Sequence, residues 1–283
     1  MCRLYAFRTS LKSTVHRSLL AAENALAQQS REHPDGWGIG YYVDEYPHLY
    51  RNTRQALADG LFGELGSVVS TNTFLGHIRQ ANVGPVSLLN CHPFQFGKWI
   101  FAHNGQIAGY NENPDVRGRV RALVAPRFHR NILGDTDSEV YFYAFLTRLC
   151  AEFGDIHLPG LPFEPCAHAL RATARDILAI SDAYGETQTK LTCIATNGNV
   201  MIGHRARVAL NYSTYKSHCP ERHTCALYKP GICEAPVENG IVRHLILTSE
   251  LVAPEPNVWH ELEDGATVGV DWGMHFRMLG PND

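Results

Sequence analysis

The sequence predicts an α+β fold in which helices cover a large, mostly antiparallel β core. Three observations support this prediction. Thr136-Asp-Ser-Glu139 has the form of a capping box and precedes an apolar helical face, so a helix should begin near Thr136. A second helical stretch runs from about residue 165 to residue 183. Residues 190–280 then alternate in short β-like segments, such as 191–196, 245–248 and 267–270.

The first half of the chain mixes helices with short strands. Residues 14–29 carry apolar side chains at helical spacing, which predicts a helix there. Segments 38–43 and 73–79 are typical of short strands bounded by Gly, Asp and Asn. Turn signals are distributed along the chain and no repeat is visible, so we expect one domain over residues 1–283. Its motifs lie in residues 2–150, and the strands of 190–280 complete the core.

Composition narrows the class of protein. The 283 residues are 45% hydrophobic and 19% charged, with a formal net charge of −3. This balance offers no broad basic field for nucleic acid or an anionic membrane, so a small-molecule partner is expected. The chain shows no secretory signal and no apolar run near the ~20 residues that span a bilayer, which predicts a cytoplasmic protein. Its eight cysteines are too sparse for a disulfide scaffold and should be reduced thiols.

Cys2 becomes the terminal residue if Met1 is removed, as a small second side chain favours. A terminal cysteine carries both an α-amine, with a pKa of about 7.7 to 8.0, and a thiol, with a pKa of about 8.5. The amine can therefore accept the thiol proton, and one residue serves as nucleophile and base. A cysteine at this position is more often a small buried hydrophobe, so the hypothesis depends on its companions.

Two downstream segments could supply the other parts of an acyl-transfer site. Arg79 ends an apolar strand, where its guanidinium fork could bind a carboxylate, although such arginines are more often solvated. The segment from Trp99 to Gly105 could aim the Asn104 amide and the Gly105 N–H at a developing oxyanion. The alternative for this segment is an ordinary Asn-Gly turn.

Several motifs occur in an order and spacing that resemble class II glutamine amidotransferase domains. They are Met1-Cys2, Asp35-Gly-Trp-Gly38, His77-Ile-Arg79, His92-Pro93, His103-Asn-Gly105 and Asp135-Thr-Asp-Ser-Glu139. Gln80-Ala-Asn82 and Asn90-Cys-His-Pro-Phe94 are similar to the stand-alone bacterial branch, which includes YafJ-type putative amidotransferases and the amidohydrolase of ergothioneine biosynthesis. The motifs cover about residues 1–150, and Thr248-Ser-Glu250 with Trp259 extends the resemblance weakly towards the end.

The resemblance implies the four-layer αββα sandwich of N-terminal-nucleophile hydrolases and a catalytic set made of Cys2, Asn104 and Gly105. Cys2 would form a γ-glutamyl thioester, and Asn104 and Gly105 would form the oxyanion hole. Arg79 would bind the substrate carboxylate and Asp137 its α-amine. Gly36, Trp37 and His77 complete the substrate-binding set, with His77 supporting the site from behind, as we also expect of His92 and His103. No cofactor or metal is implied.

The chemistry predicted is hydrolysis of the side-chain amide of glutamine or a γ-glutamyl compound, giving glutamate and ammonia or an amine. Gln80 and Val83 depart from the fused sugar-synthesising members, which argues against glucosamine synthesis. No synthase domain is recognisable, so ammonia delivery would need a separate acceptor subunit. A hydrolase for a larger γ-glutamyl amide, and a non-catalytic binding protein on the same fold, remain open alternatives.

Three further hypotheses are weaker. A papain-like protease would need a histidine base. The His218 to Cys225 segment, with Cys233, could hold zinc, but its spacing matches no common module. Residues 107–134 could form a lid or an ordinary surface loop.

Overall fold

Two antiparallel β-sheets form the centre of the computed structural model, which describes residues 2–252 and 256–283. The first sheet has seven strands in the spatial order β11 (His260–Glu261), β9 (Asn211–Ser213), β10 (His244–Thr248), β1 (Arg3–Thr14), β4 (Ser70–Ile78), β2 (Trp37–Val43) and β3 (Tyr46–Asn52). The second has six, in the order β13 (Phe276–Leu279), β12 (Thr267–Val270), β8 (Met201–His204), β7 (Lys190–Thr196), β6 (Trp99–Gln106) and β5 (Phe94–Phe96).

Helices cover the outer face of each sheet. They are α1 (Leu26–Gln29), α2 (Gly60–Val68), α3 (Pro114–Ala122), α4 (Asp137–Phe153), α5 (Phe163–Ala183) and α6 (Pro230–Cys233). Side chains of α1 and α2 share a buried cluster with the seven-stranded sheet, and those of α3, α4 and α5 share one with the six-stranded sheet. A third cluster fills the space between the sheets. The predicted four-layer αββα sandwich is therefore confirmed.

Strand alternation decides which residues reach the space between the sheets. On β1, Leu4 and Ala6 belong to the cluster between the sheets, whereas Tyr5 and Phe7 belong to the outer one. Successive side chains of a strand point to opposite faces. Cys2, two residues before Leu4, therefore lies on the side of the sheet that faces the second sheet.

The helix predicted near Thr136 is present as α4. The Thr136 hydroxyl accepts a hydrogen bond from the Glu139 N–H at 3.3 Å, as a capping box requires. In a capping box the glutamate side chain would also accept from the N–H of the cap residue. Here the Glu139 carboxylate instead accepts from the backbone N–H groups of Leu133 and Gly134, at 3.1 and 2.7 Å. It therefore fixes the turn before the helix rather than the cap residue itself.

The single helix predicted over residues 14–29 is wrong. A π-helical turn at Arg17–Ala21 and the one-turn helix α1 occupy this stretch. The extended backbones of Ala22 and Ala25 separate them, with ψ of 151° and 157°. Leu19 and Leu26 are both buried, so two separate turns satisfy the apolar spacing that suggested one helix.

Residues 107–134 fold into α3 and a 3₁₀ turn at Pro126–Asn131. Val116, Val120 and Phe128 from this stretch are buried in the cluster under the six-stranded sheet. None of the helices in the described ranges is long and apolar enough to cross a membrane. The eight cysteines all lie in these ranges and are free thiols.

We predict that Gly38→Ala destabilises the protein by at least about 2 kcal/mol, because a Cβ there would lie 1.9 Å from the carbonyl oxygen of His92. Gly63→Ala in α2 is the matched control, since its Cβ would meet nothing within 4 Å. That change should raise stability by about 0.5 to 1 kcal/mol, because glycine weakens a helix interior. Urea unfolding of both variants measures the difference, and equal midpoints would contradict the close approach at Gly38.

Candidate active site

Three predicted site residues lie side by side at one end of the seven-stranded sheet. The register pairs Arg3 with Ile78 and Ile78 with Trp37, so the next position along each strand holds Cys2, Arg79 and Gly36. Hydrogen bonding continues at this end, where the Arg79 N–H donates to the Gly36 carbonyl at 2.8 Å. Strand pairing alone therefore brings together residues from three separate motifs.

Cys2 is buried and contacts the backbone of Gln80. The Gln80 N–H donates to its Sγ at 3.3 Å, and the thiol lies 3.5 Å from the Gln80 carbonyl oxygen. Only 8% of the residue is exposed. Burial raises the pKa of the Cys2 thiol, and the Gln80 N–H and the Arg79 charge oppose that rise. Met1, whose removal the sequence predicts, lies outside the described residues.

The Arg79 guanidinium is buried and is already hydrogen bonded to the chain that follows it. It donates to the carbonyl oxygens of Pro85 and Val83, each at 3.1 Å, and to that of Gly84 at 3.4 Å. A guanidinium has five N–H donors, so these contacts do not exhaust it. Arg79 is therefore both a candidate carboxylate ligand and the support of residues 80–90, which we call the 80–90 segment.

Asn90 fastens the other end of the 80–90 segment, a role that sequence reasoning missed. Its side-chain oxygen accepts from the Asp135 N–H at 2.9 Å, and its side-chain nitrogen donates to the Pro85 carbonyl at 3.0 Å. The segment is thereby tied to the turn before α4. The signal available was the Asn at the head of Asn90-Cys-His-Pro-Phe94, but its partners are distant in sequence.

Asn104 faces the space between the sheets. Ile100 and Ala102, on the same side of β6, belong to the cluster between the sheets. The Asn104 side chain is 2% exposed, and its buried oxygen has no hydrogen-bond partner among the described residues. β5 pairs with β6 only as far as Phe101, so no described strand covers that edge of β6 at Asn104 and Gly105. Polar groups here are available to a ligand.

Gly105 is required by its surroundings. A Cβ at this position would lie 2.0 Å from the carbonyl oxygen of Lys190 and 2.8 Å from Nε2 of His103. The close approach keeps β6 and β7 together at the end where Asn104 lies. The Asn-Gly pair therefore lies inside a paired strand, not in a turn between two strands.

Asp137 begins α4 and joins it to the chain after β6. Its Oδ2 accepts from the Ile107 N–H at 2.5 Å, and its Oδ1 accepts from the Ser138 N–H at 2.8 Å. Burial raises the pKa of the Asp137 carboxyl, and the neighbouring His103 and these hydrogen bonds oppose the rise. The charge of Asp137 also contributes to the raised pKa of the Cys2 thiol.

Ser138 and His103 extend this network to the six-stranded sheet. His103 Nε2 lies 2.9 Å from the Lys190 carbonyl oxygen, and its Nδ1 lies 2.8 Å from the Ser138 hydroxyl. Burial lowers the pKa of His103. The neutral ring must carry its proton on Nε2, since a carbonyl only accepts, so Nδ1 is an acceptor. The Ser138 hydroxyl has one hydrogen for two acceptors, His103 Nδ1 and Asp137 Oδ1, the latter at 3.2 Å. His103 therefore links β6 to β7 and to the start of α4.

His77 and His92 form a buried pair beside this network. Their ring centroids are 4.2 Å apart. Burial, reinforced by the Arg79 charge, lowers the pKa of His77 to about 3, and burial likewise lowers that of His92. Both rings are therefore neutral at pH 7. His77 lies directly opposite Leu4 and Gly38 in the sheet, two positions along the strands from the row that contains Cys2.

The two remaining predicted residues differ in position. Gly36 is in the row beside Arg79 and has φ of +125°, a backbone that favours glycine. The Trp37 side chain lies on the opposite face of the sheet, where its Nε1 donates to Asp59 at 2.9 Å and its ring packs edge-on against Phe62. Trp37 is fully buried there, so its indole is a core residue and does not join the other site residues.

Cys2 and Arg79 lie side by side at one end of the first sheet, and Asn104 of the second sheet and Asp137 of α4 are buried polar residues. A thiol, an amide, a guanidinium and a carboxylate are groups that can take part in acyl transfer. In the described ranges, no group of three or more His, Cys, Asp or Glu side chains is arranged to hold a metal ion.

Comparison with known proteins agrees with this chemistry. A family model described as glutamine amidotransferases class-II matches residues 1–213. The uncharacterized protein MJ1515 of Methanocaldococcus jannaschii is 30% identical over 155 residues, which is 53% of this chain and 39% of the relative. The putative glutamine amidotransferase YafJ of Escherichia coli is 31% identical over 126 residues, or 43% of this chain and 45% of YafJ.

The gamma-glutamyl-hercynylcysteine sulfoxide hydrolase of Mycobacterium tuberculosis is 31% identical over 74 residues, or 26% of this chain and 32% of the relative. The chain thus spans less than half the length of these curated relatives. The solved glutamine aminotransferase class-II domain protein from Silicibacter pomeroyi superimposes with a TM-score of 0.66 at 19% identity, over 98% of both chains. That likeness concerns the fold.

We predict that the buried His77 makes stability depend on pH. In the unfolded chain its pKa is near 6.5, whereas in the folded protein it is about 3. Between these values only the unfolded state binds the proton, so stability falls as pH falls below 6.5 and is unaffected above it. From pH 7 to pH 5 the loss is about 2 kcal/mol from this residue.

Urea unfolding at the two pH values measures the effect in His77→Gln, which should show a loss smaller than the wild type by about that amount. His48→Gln is the control, because His48 is exposed on β3. The same pH dependence in wild type and His77→Gln would contradict a neutral, buried His77.

Proposed function

The chain belongs to the class II glutamine amidotransferase family, and we propose that it hydrolyses the side-chain amide of glutamine or of a γ-glutamyl compound with Cys2 as the nucleophile. Family membership indicates an enzyme with a small-molecule substrate. The substrate, the acceptor of the released nitrogen and the role of each residue are proposals.

One observation carries the proposal: strand register places Cys2 beside Arg79 and Gly36, on the side of the first sheet that faces Asn104 of the second. A γ-glutamyl group needs a nucleophile at its δ-carbon and separate ligands for its carboxylate and ammonium groups. Cys2 would be the nucleophile and Arg79 the ligand of the carboxylate. Asp137, whose charge acts on the pKa of the thiol, would be the ligand of the ammonium group.

The α-amine of Cys2, once Met1 is removed, would accept the thiol proton. Burial holds the thiol pKa above its usual value, so the free thiol stays protonated until the amine takes its proton. The thiolate then attacks the amide carbon. Arg3 donates to the Cys2 carbonyl at 3.5 Å, and the Gln80 N–H donates to the sulfur, so the attacking residue is held in place.

Asn104 and Gly105 would bind the oxyanion that forms on the amide oxygen. The Asn104 side-chain nitrogen and the Gly105 N–H would donate to this oxygen from an edge of β6 that no described strand covers. The α-ammonium group returns its proton to the departing nitrogen, and ammonia or an amine leaves. Water, deprotonated by the same amine, then attacks the thioester carbon; the C–S bond breaks, glutamate leaves, and the ammonium group returns its proton to the Cys2 sulfur.

Substrate recognition would rest on opposite charges at the two ends of the α-amino acid. Arg79 would bind the carboxylate and Asp137 the ammonium, each with hydrogen-bonding capacity left after its internal contacts. Gly36 would let the substrate backbone approach closely, and His77 would support the floor. Trp37 would contribute only through its backbone, since its indole packs on the other face.

A second candidate is a hydrolase for a larger γ-glutamyl amide. The apolar side chains of Val86, Leu88 and Leu89, each about half exposed on the 80–90 segment, favour it because they adjoin the site and could contact a bulky leaving group. The named activity of the Mycobacterium tuberculosis relative is of this type. A separate ammonia-accepting subunit is the corresponding partner if glutamine is the substrate.

We predict that an electrophilic glutamine analogue alkylates Cys2 and no other cysteine, and that glutamine or the true γ-glutamyl substrate protects it. Cys150→Ala is the matched control, because Cys150 is more exposed than Cys2 but lies away from the site. Peptide mass spectrometry locates the adduct and shows whether Met1 is absent. Labelling of Cys150 with Cys2 untouched would remove Cys2 from the mechanism.

We predict that Arg79→Ala lowers kcat/KM for a chromogenic γ-glutamyl anilide about 10- to 100-fold, the usual effect of losing a hydrogen bond between charged groups. The α-methyl ester of the same anilide is the control substrate, since it lacks the carboxylate. The variant should hydrolyse the ester and the acid with similar kcat/KM. An equal loss on both substrates would show that Arg79 acts only by supporting the 80–90 segment.

A further inference from the structure

A cavity of about 480 Å³ lies on the outer face of the seven-stranded sheet. Its floor contains Tyr5, Phe7 and Ile246, and the chain between Lys216 and Cys233 forms one wall. Tyr5 and Phe7 point away from the space between the sheets, whereas Cys2 lies on the side that faces it. The cavity is therefore separate from the proposed active site, although both lie along β1. Its volume suits a small organic ligand.

The charged side chains of the cavity are mostly basic. Lys12, Arg17, Lys216 and Arg243 line it, against one acidic residue, Glu221. Within residues 2–252 and 256–283, neither Lys216 nor Arg243 has a carboxylate at ion-pair distance. Nε of Arg243 is buried and has no hydrogen-bond partner in that part of the chain. Arg243 and Lys216 are both partly exposed, and their positive charges beside an apolar floor favour an anionic ligand.

His244 adds a polar group beneath these cations. It is 8% exposed, lines the cavity, and its buried Nε2 has no partner among the described residues. Burial and the nearby Lys216 charge lower the pKa of His244 to about 3, so the ring is neutral. A neutral imidazole carries one N–H, which can donate to an oxygen.

We propose that this cavity binds a small organic anion, with its apolar body on Tyr5, Phe7 and Ile246 and its carboxylate or phosphate group between Arg243 and Lys216. Arg243 is held close to β1, because the Ser10 N–H donates to its carbonyl at 2.9 Å. Lys216 is fixed through its backbone, whose N–H donates to the Cys233 carbonyl at 2.8 Å. The two cations therefore belong to a built wall rather than to a free loop.

Isothermal titration of the full chain with phenyl phosphate, phenylacetate and benzyl alcohol tests the proposal. At least one of the two anions should bind, and the neutral alcohol should not. The anion that binds with the higher affinity shows whether the cavity prefers a phosphate or a carboxylate group. Arg243→Met and Lys216→Met should each weaken binding at least about tenfold, as expected for a charge-assisted hydrogen bond. Arg54→Met, an exposed arginine outside the cavity, is the matched control and should bind like the wild type.

The wild type alone gives a second measurement that does not depend on variant folding. Raising the salt from about 50 to about 500 mM should weaken anion binding severalfold through screening. The Cys2→Ala variant should still bind the anion. Loss of anion binding and loss of the proposed catalytic activity can therefore be told apart. Absence of binding by both anions, equal binding of the alcohol, or unchanged affinity in Arg243→Met would overturn the proposal.

Discussion

The pairing of β1 on both edges is the constraint on which the rest of the site depends. β1 is the middle strand of the seven-stranded sheet, with β4 on one side and β10 on the other. Near the start of β1, the Leu4 N–H donates to the Ser249 hydroxyl at 2.9 Å, and the Ser249 N–H donates to the Leu4 carbonyl at 3.1 Å. A chain terminus is usually poorly ordered unless it is tied into a sheet. Here the ties hold Cys2 in register with Arg79, which a nucleophile needs.

The site also places opposite charges in a low-dielectric interior, where each needs partners. Arg79 is satisfied by carbonyls of the 80–90 segment, and Asp137 by the N–H groups of Ile107 and Ser138. These internal contacts keep both charges in place while no substrate is bound. Arg79 thereby also fixes the position of the 80–90 segment, with donors left over from these contacts. Asn104, in contrast, is buried, and its side-chain oxygen has no hydrogen-bond partner among the described residues.

Local sequence signals predicted helices and strands correctly where a single rule, such as helix capping or strand period, determines them. The cap at Thr136, the strand before Gly105 and the strands near residues 245 and 267 are confirmed, because period and capping act within a few residues. The stretch 14–29 failed because two turns can bury the same apolar residues as one helix. Motif resemblance gave the family, but the hydrogen bonds of Asn90 and the outward indole of Trp37 depend on contacts between distant segments, which one sequence does not contain.

Trapping the covalent intermediate is the most direct test of the central claim, that Cys2 forms a γ-glutamyl thioester. The protein would be mixed with a γ-glutamyl anilide, quenched in acid during turnover, and its N-terminal peptide analysed by mass spectrometry with and without hydroxylamine, which cleaves thioesters. We predict a hydroxylamine-sensitive γ-glutamyl adduct on a Cys2 that lacks Met1. The account would be contradicted if aniline is released while Cys2 stays unmodified at every quench time and the adduct is found on another residue.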